Sequence, residues 1–161
     1  MTQLNVRNVA PDANGLLNVA QEDWCAVHQD ARGQGFVRLE WICAVHDVSA
    51  GFTVLSAVAP IDGAQPTIIS TALAGDTIDS VSEIFPIATF HEREITQLFG
   101  IQFLGSTNTS PAFNIPLEGF PMRRDFILKP RVDTHWPGAK EFDEAARRRV
   151  VSVPGVNKEW L

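Results

Sequence analysis

At 161 residues the chain is the size of one domain with room for a tail, and a domain of that size buries about 70% of its unfolded surface, enough to hold together without metal or disulfide. A net charge of −6 argues against a nucleic-acid partner, because phosphate binding draws on concentrated Lys and Arg. Two cysteines, Cys25 and Cys43, are too few to hold an iron–sulfur cluster, and 45% hydrophobic with 20% charged residues is ordinary globular composition.

With no metal-type spacing, the two cysteines are expected as free thiols of a reducing compartment, a disulfide between them being the alternative. The start, Met1 to Asn5, lacks the basic and apolar regions of a signal peptide. The longest apolar stretch, Phe52 to Ile61, is about half of what a membrane span requires. The expectation is a soluble protein on the cytoplasmic side of the cell membrane, peripheral and reaching it only through partners.

In chain order, Glu22 to Ala31 places Trp24, Val27, His28 and Ala31 at helical spacing, and Gly33-Gln34-Gly35 closes the helix. Phe36 to Val45 alternates, with Val37, Leu39, Trp41 and Cys43 on one side, and predicts a strand. His46 to Gly51 is a turn, and Phe52 to Val58 a second strand. Pro60 to Pro66 is a loop rich in turn formers, and Thr67 to Leu73 a third strand. Short connections make these three strands antiparallel, since parallel neighbours need long crossovers. With a helix on either side in sequence, the fold class is α+β: an antiparallel sheet of three or more strands with helices packed on it, followed by an extended C-terminal tail.

For the second helix, Ser80-Val81-Ser82-Glu83 has the form of a capping box, and Pro86 suits the first position of a helical segment. The run Ile87 to Phe99 follows, with Gly100 as the residue that ends it. At about 100° per residue, Ile84, Ile87, Ala88, His91, Ile95, Leu98 and Phe99 form one stripe. Glu92 and Glu94 flank that stripe, Arg93 points away, and His91 within it reads as a satisfied core histidine. Ile101 to Leu104 is a short strand, Gly105 to Pro111 a polar loop, and Phe113 to Leu117 an extended piece that Pro116 keeps out of a sheet centre. The first domain is assigned to 1–128. From 129 to 161, Pro130, Pro137, Gly138, Pro154 and Gly155 interrupt any long element, only Lys140 to Val151 could be helical, and Arg147-Arg148-Arg149 reads as a solvated face. Trp136 and Trp160 in this coreless stretch are expected to anchor a tail on a partner subunit.

The chain holds no phosphate-binding glycine loop and no nucleophile elbow. His28, His46, His91 and His135 have no metal-ligand spacing. Glu92 and Glu94, two apart on a helix, do not face each other, which disfavours a stand-alone hydrolase built on Glu92, Glu94 or Asp125. No catalytic, cofactor-binding or metal-binding residue is therefore assigned. Two charged clusters set among apolar residues remain: Glu92-Arg93-Glu94 and Arg123-Arg124-Asp125. They read either as surface salt bridges, each worth little, or as a partly desolvated network between helix and loop or between this chain and a partner, a task that suits arginine's planar fork.

The segment His91-Glu92-Arg93-Glu94-Ile95-Thr96-Gln97-Leu98-Phe99-Gly100-Ile101-Gln102-Phe103, with Gly105 beyond it, resembles the signature of the 30 kDa subunit of respiratory complex I and its counterparts in membrane-bound hydrogenases. Gly119-Phe120-Pro121-Met122-Arg123-Arg124-Asp125-Phe126 is similar to that family's second motif. The chain departs from the family in having His91 before the first glutamate, and Ser106 to Pro111 where histidine-proline-aspartate and paired arginines are usual. The resemblance implies a cofactor-free peripheral subunit of an ion-translocating redox complex such as NADH-quinone oxidoreductase. Iron–sulfur clusters, and either flavin and quinone or a nickel–iron centre, would sit in partner subunits. It would scaffold a large catalytic subunit against a small iron–sulfur subunit, with a membrane-bound hydrogenase or formate hydrogenlyase as the alternative complex and a non-redox adaptor as a third reading. By the same carry-over, Glu92, Arg93, Glu94, Arg123, Arg124 and Asp125 form the assembly network, and Phe99, Gly100, Ile101 and Phe103 set the turn beneath it.

Overall fold

The computed structural model describes residues 11–12, 15–115 and 117–127, all within the first of the two units into which the chain divides, Met1–Ile127. The expected tail over 129–161, with Trp136, Trp160 and the triple arginine, lies outside the described residues. The elements run β1 (Leu16–Asn18), α1 (Trp24–Gly33, after a single 3-10 turn), β2 (Arg38–Asp47), β3 (Gly51–Ala59), β4 (Thr67–Ala72), β5 (Thr77–Asp79), α2 (Ala88–Phe99) and β6 (Gln102–Leu104).

β2, β3 and β4 form the antiparallel meander read from the sequence. The short β1 joins the far side of β4 in parallel, making a mixed four-stranded sheet in the order β1-β4-β3-β2. β5 and β6 pair in parallel as a separate ribbon on either side of α2 in sequence. The β2–β3 hairpin is closed by Asp47, whose Oδ1 accepts hydrogen bonds from Ser49 N (2.8 Å), the Ser49 hydroxyl and Ala50 N (3.1 Å). These bonds, the Ser49 hydroxyl first, hold the Asp47 carboxyl down at about 2.

Of Val37, Leu39, Trp41 and Cys43, read as one side of the strand, only Leu39 is buried. A β-bulge between Leu39 and Trp41 inserts an extra residue, so Ile42 and Ala44, not Trp41 and Cys43, point into the core; Val37 and Cys43 are exposed. Both cysteines are free.

One face of the sheet, carrying Ile42, Ala44, Val54, Ser56 and Ile69, meets Trp24, Val27 and Ala31 of α1 and Ala88, Ile95 and Phe99 of α2 in a single core. The spacing of Trp24, Val27, His28 and Ala31 thus marks α1's inward face, as read from the sequence. His28 is fully buried, with Nδ1 donating to Trp24 O (2.7 Å) and Nε2 accepting from the Ser56 hydroxyl (2.7 Å). Both ring nitrogens are thereby satisfied with the imidazole neutral. Burial pushes it from 6.5 down to about 4, against a smaller upward pull from the Trp24 carbonyl.

That depressed value has a definite sign in stability. Above pH 6.5 neither folded nor unfolded chain protonates this group, and its contribution is intact. Between about 6.5 and 4 only the unfolded chain takes the proton, so stability falls as pH falls, by about 3 kcal/mol in all at roughly 1.4 kcal/mol per pH unit. Urea unfolding from pH 8 to 4 checks this: the slope due to His28 should disappear in His28→Phe, and an unchanged slope would contradict it.

α2 begins at Ala88, two residues beyond Pro86, and no side chain caps it. The expected capping box does not form: Ser80 turns its hydroxyl elsewhere and Glu83 is exposed. Gly100 ends the helix in the left-handed region, φ 78°, as anticipated.

Candidate functional site

With the helix starting at Ala88, its inward line is Ala88, Glu92, Ile95 and Phe99, and Glu92 lies on it rather than beside it, 1% exposed. Its carboxylate accepts from the Ser80 hydroxyl (Oε2, 2.7 Å) and from Val81 N (Oε1, 2.9 Å). Ser80 Oγ, having given its proton to Glu92, accepts from Ser82 N (3.1 Å) and the Ser82 hydroxyl (2.7 Å). The chain between β5 and α2 is thereby pinned to the helix it precedes. Cys25 of α1 donates to Ser80 O (3.3 Å), and its thiol is pushed up to about 11 by burial, then by Asp79 and Glu92. His91 is half-buried beside this line, and Ile87 is exposed.

The second motif closes on the other end of α2. Met122 N donates to Leu98 O (3.2 Å) and Arg123 Nε to Phe99 O, so a cation satisfies the helix's last carbonyls, where the helix dipole is negative. The Arg123 guanidinium stacks on two rings, 4.4 Å from the centre of Phe120 and 5.0 Å from that of Phe52. Gly100 lets the loop come this close: a Cβ there would stand 2.6 Å from both Arg123 Nη2 and Phe120 Cζ. Phe99, Ile101 and Phe103 are all buried, and Thr96 Oγ1 donates to Ile101 O (2.8 Å) across the turn.

Arg93, on the outer side, donates through Nε to Ser110 O (2.6 Å) and through Nη2 to Pro111 O (2.5 Å). Gln97, one turn on, brackets Phe113 by accepting from its N (2.8 Å) and donating to its O (3.2 Å). The polar loop is thus held as an arch over a cleft of about 240 Å³, in which Ser106 Oγ is buried without a hydrogen-bond partner. Beyond it, an open apolar groove of about 500 Å³ runs along Phe113, Ile115, Leu117 and Phe120.

The two clusters therefore serve different parts of α2, Glu92 the segment before it and Arg123 its last turn, and neither forms carboxylate–arginine pairs. Among the described residues, Glu92 bonds to Ser80 and Val81, Arg93 and Arg123 to backbone carbonyls, and Glu94 and the Arg124 side chain take part in no hydrogen bond or salt bridge. Asp125 lies 3.6 Å from His46 Nδ1. Glu92 is interior and Glu94 outward, so they cannot act as an acid–base pair. Among the described residues no group of three or more His, Cys, Asp or Glu could hold a metal ion, and no helix is long and apolar enough to cross a membrane. Around the second motif Met122 (56%) and Ile127 (83%) are open to solvent. The sequence reading missed Ser80 as the partner of Glu92, although the line Ala88, Glu92, Ile95, Phe99 was available once the helix start was fixed. It also missed Gln97 and His46, which no local pattern marks.

The family model described as respiratory-chain NADH dehydrogenase, 30 Kd subunit, matches residues 17–132. The C subunit of NADH-quinone oxidoreductase from Chelativorans sp. (strain BNC1) is 33% identical over 84 residues, 52% of this chain and 39% of that protein. The C/D subunit of NADH-quinone oxidoreductase from Cronobacter sakazakii (strain ATCC BAA-894) is 31% identical over 115 residues, 70% of this chain and 19% of that protein. Its counterpart from Pseudomonas fluorescens (strain SBW25), also a C/D subunit, is 34% identical over 97 residues, 58% of this chain and 15% of that protein. The chain thus spans well under half the length of these relatives. A solved structure of an Nqo5 trypsin-resistant fragment (1-134) superposes with a TM-score of 0.54 at 20% identity, over 58% of this chain and 80% of the fragment, a likeness of fold.

Proposed function

We propose, since the chain belongs to the respiratory-chain NADH dehydrogenase 30 kDa subunit family, that it is a cofactor-free peripheral subunit of a membrane-associated NADH-quinone oxidoreductase-type complex. Its task is to seat the large catalytic subunit against a small iron–sulfur subunit, on the cytoplasmic side of the membrane, while electrons pass through clusters in the partners. Residues 129–161, with Trp136 and Trp160, extend that contact as a docking tail.

The observation that carries this reading is the surface at the C-terminal end of α2. Arg123, Gly100 and the buried turn fix a rigid base, and on it Phe120, Met122, Arg124 and Ile127 face solvent together. An apolar patch bearing an uncommitted arginine is the composition of an interface centre. That two of the relatives carry a combined C/D name supports a D-type subunit as the partner.

Purification of the tagged chain from membranes in mild detergent should bring down a large subunit and an iron–sulfur subunit, with flavin and NADH oxidation in the complex. Partners lacking any redox protein would overturn the reading, and nickel in place of flavin would assign the chain to the hydrogenase branch. Arg124→Ala should weaken assembly roughly tenfold, the loss of about 1.4 kcal/mol usual for an interface arginine, while the isolated chain keeps its melting temperature. Undiminished recovery of active complex from that variant would remove Arg124 from the interface.

A further inference from the structure

The second motif meets the sheet twice, where Arg123 stacks on Phe52 and where Arg124 reaches His46, and the second of these contacts is titratable. Arg124 N donates to His46 Nδ1 at 3.1 Å, while Asp125 Oδ1 stands 3.6 Å from the same nitrogen. A ring nitrogen that accepts from a backbone N–H must offer its lone pair, so the neutral ring carries its hydrogen on Nε2. A second proton has one place to go, Nδ1. There it ends the bond from Arg124 N, sets two N–H groups against each other, and presents a charged donor to the Asp125 carboxylate.

We infer that His46 is a protonation-dependent clasp: neutral, it holds the 119–127 loop through the Arg124 amide; protonated, it releases that amide and takes Asp125 instead. The exchange needs a movement of under 1 Å, since a charge-assisted N–H···O bond closes at about 2.8 Å. It is confined to this loop, because the ring is held on its other side by Phe52 of β3, centroids 4.6 Å apart.

The charged groups around His46 are few. The loop contributes Asp125, Arg124 and, across the Phe52 ring, Arg123. In β2 the neighbouring Asp47 is committed to Ser49 and Ala50. Phe52 brings no charge, and the last turn of α2, which reaches this loop, is Thr96-Gln97-Leu98-Phe99, with no ionisable side chain. Asp125 is thus the only carboxylate within salt-bridge distance of the ring among the described residues. Phe120, Met122 and Arg124 ride on the same loop, and their presentation changes with the clasp.

Nuclear magnetic resonance of the full chain tests this. At pH 8 the His46 ring should show the Nε2–H form, and the Arg124 amide proton should shift upfield in step with protonation of that ring. In Asp125→Asn, an exposed change, the acid form should lose the carboxylate that receives the ring, so the amide of residue 125 should stop responding to acidification while that of Arg124 still does. A ring carrying its hydrogen on Nδ1 at pH 8, an Arg124 amide indifferent to the titration, or an amide of residue 125 that responds to acidification alike in Asp125→Asn would each overturn the clasp.

Discussion

Replacing Glu92 by alanine is expected to destabilise the chain by about 4 kcal/mol, through two donors left unpaired and a cavity left unfilled. Val81 N and the Ser80 hydroxyl both give their hydrogens to this carboxylate, in a place with 1% exposure. Glu92→Gln separates the contributions. Its carbonyl oxygen can still accept from Val81 N, but its amide then meets Ser80 Oγ, which already accepts from Ser82, so a loss of roughly 1–2 kcal/mol is expected. Urea midpoints should rank native, then Gln, then Ala. Because Glu92 is one of the groups holding the Cys25 thiol up, both variants should also speed its alkylation at pH 8. Equal midpoints for Gln and Ala would mean that the carboxylate is not the acceptor on which this corner depends.

Gly100→Ala should cost about as much by a different route. The left-handed backbone, φ 78°, penalises a Cβ by about 1–2 kcal/mol wherever it occurs. Here the added methyl also stands 2.6 Å from Arg123 Nη2 and from the Phe120 ring, with Phe120 Cε1 at 2.8 Å. The loop must retreat, and Met122 N→Leu98 O and Arg123 Nε→Phe99 O go with it, at about 1 kcal/mol each. The expected sum is about 4 kcal/mol, and the diagnostic is location: hydrogen-exchange protection should vanish at Met122 before it changes in β3. A variant that lost only the backbone penalty and kept that protection would contradict the close approach.

How much of this could be read from the chain depended on whether the deciding interaction was local. α1 was legible because Trp24, Val27, His28 and Ala31 repeat at helical spacing and nothing interrupts them. The meander was legible from its alternation and short turns, and the end of α2 from Gly100. β1 was not, because three residues have no period and gain their place only from β4, some fifty residues on. The β2 bulge is a choice between two pairings that leave the composition of the strand unchanged. Ser80 has the pattern of a cap, yet its hydroxyl does better against a buried carboxylate twelve residues away than against its own neighbours. At the site, the sequence brought forward residues but not the bonds the structure gives them. Arginines beside glutamates suggest ion pairs, whereas Arg93 and Arg123 serve unpaired carbonyls, which no letter of the sequence records.

The irregularity in β2 bears on how copies of the chain meet one another. β2 is the outermost strand of the four, ten residues long, and its outward ladder is a template on which another extended chain could align. An extra residue between Leu39 and Trp41 breaks the straight run of donors and acceptors and adds twist. The paired charges of Arg38 and Glu40 stand at the same spot. A newly made copy is thereby shielded from stacking edge to edge with its siblings.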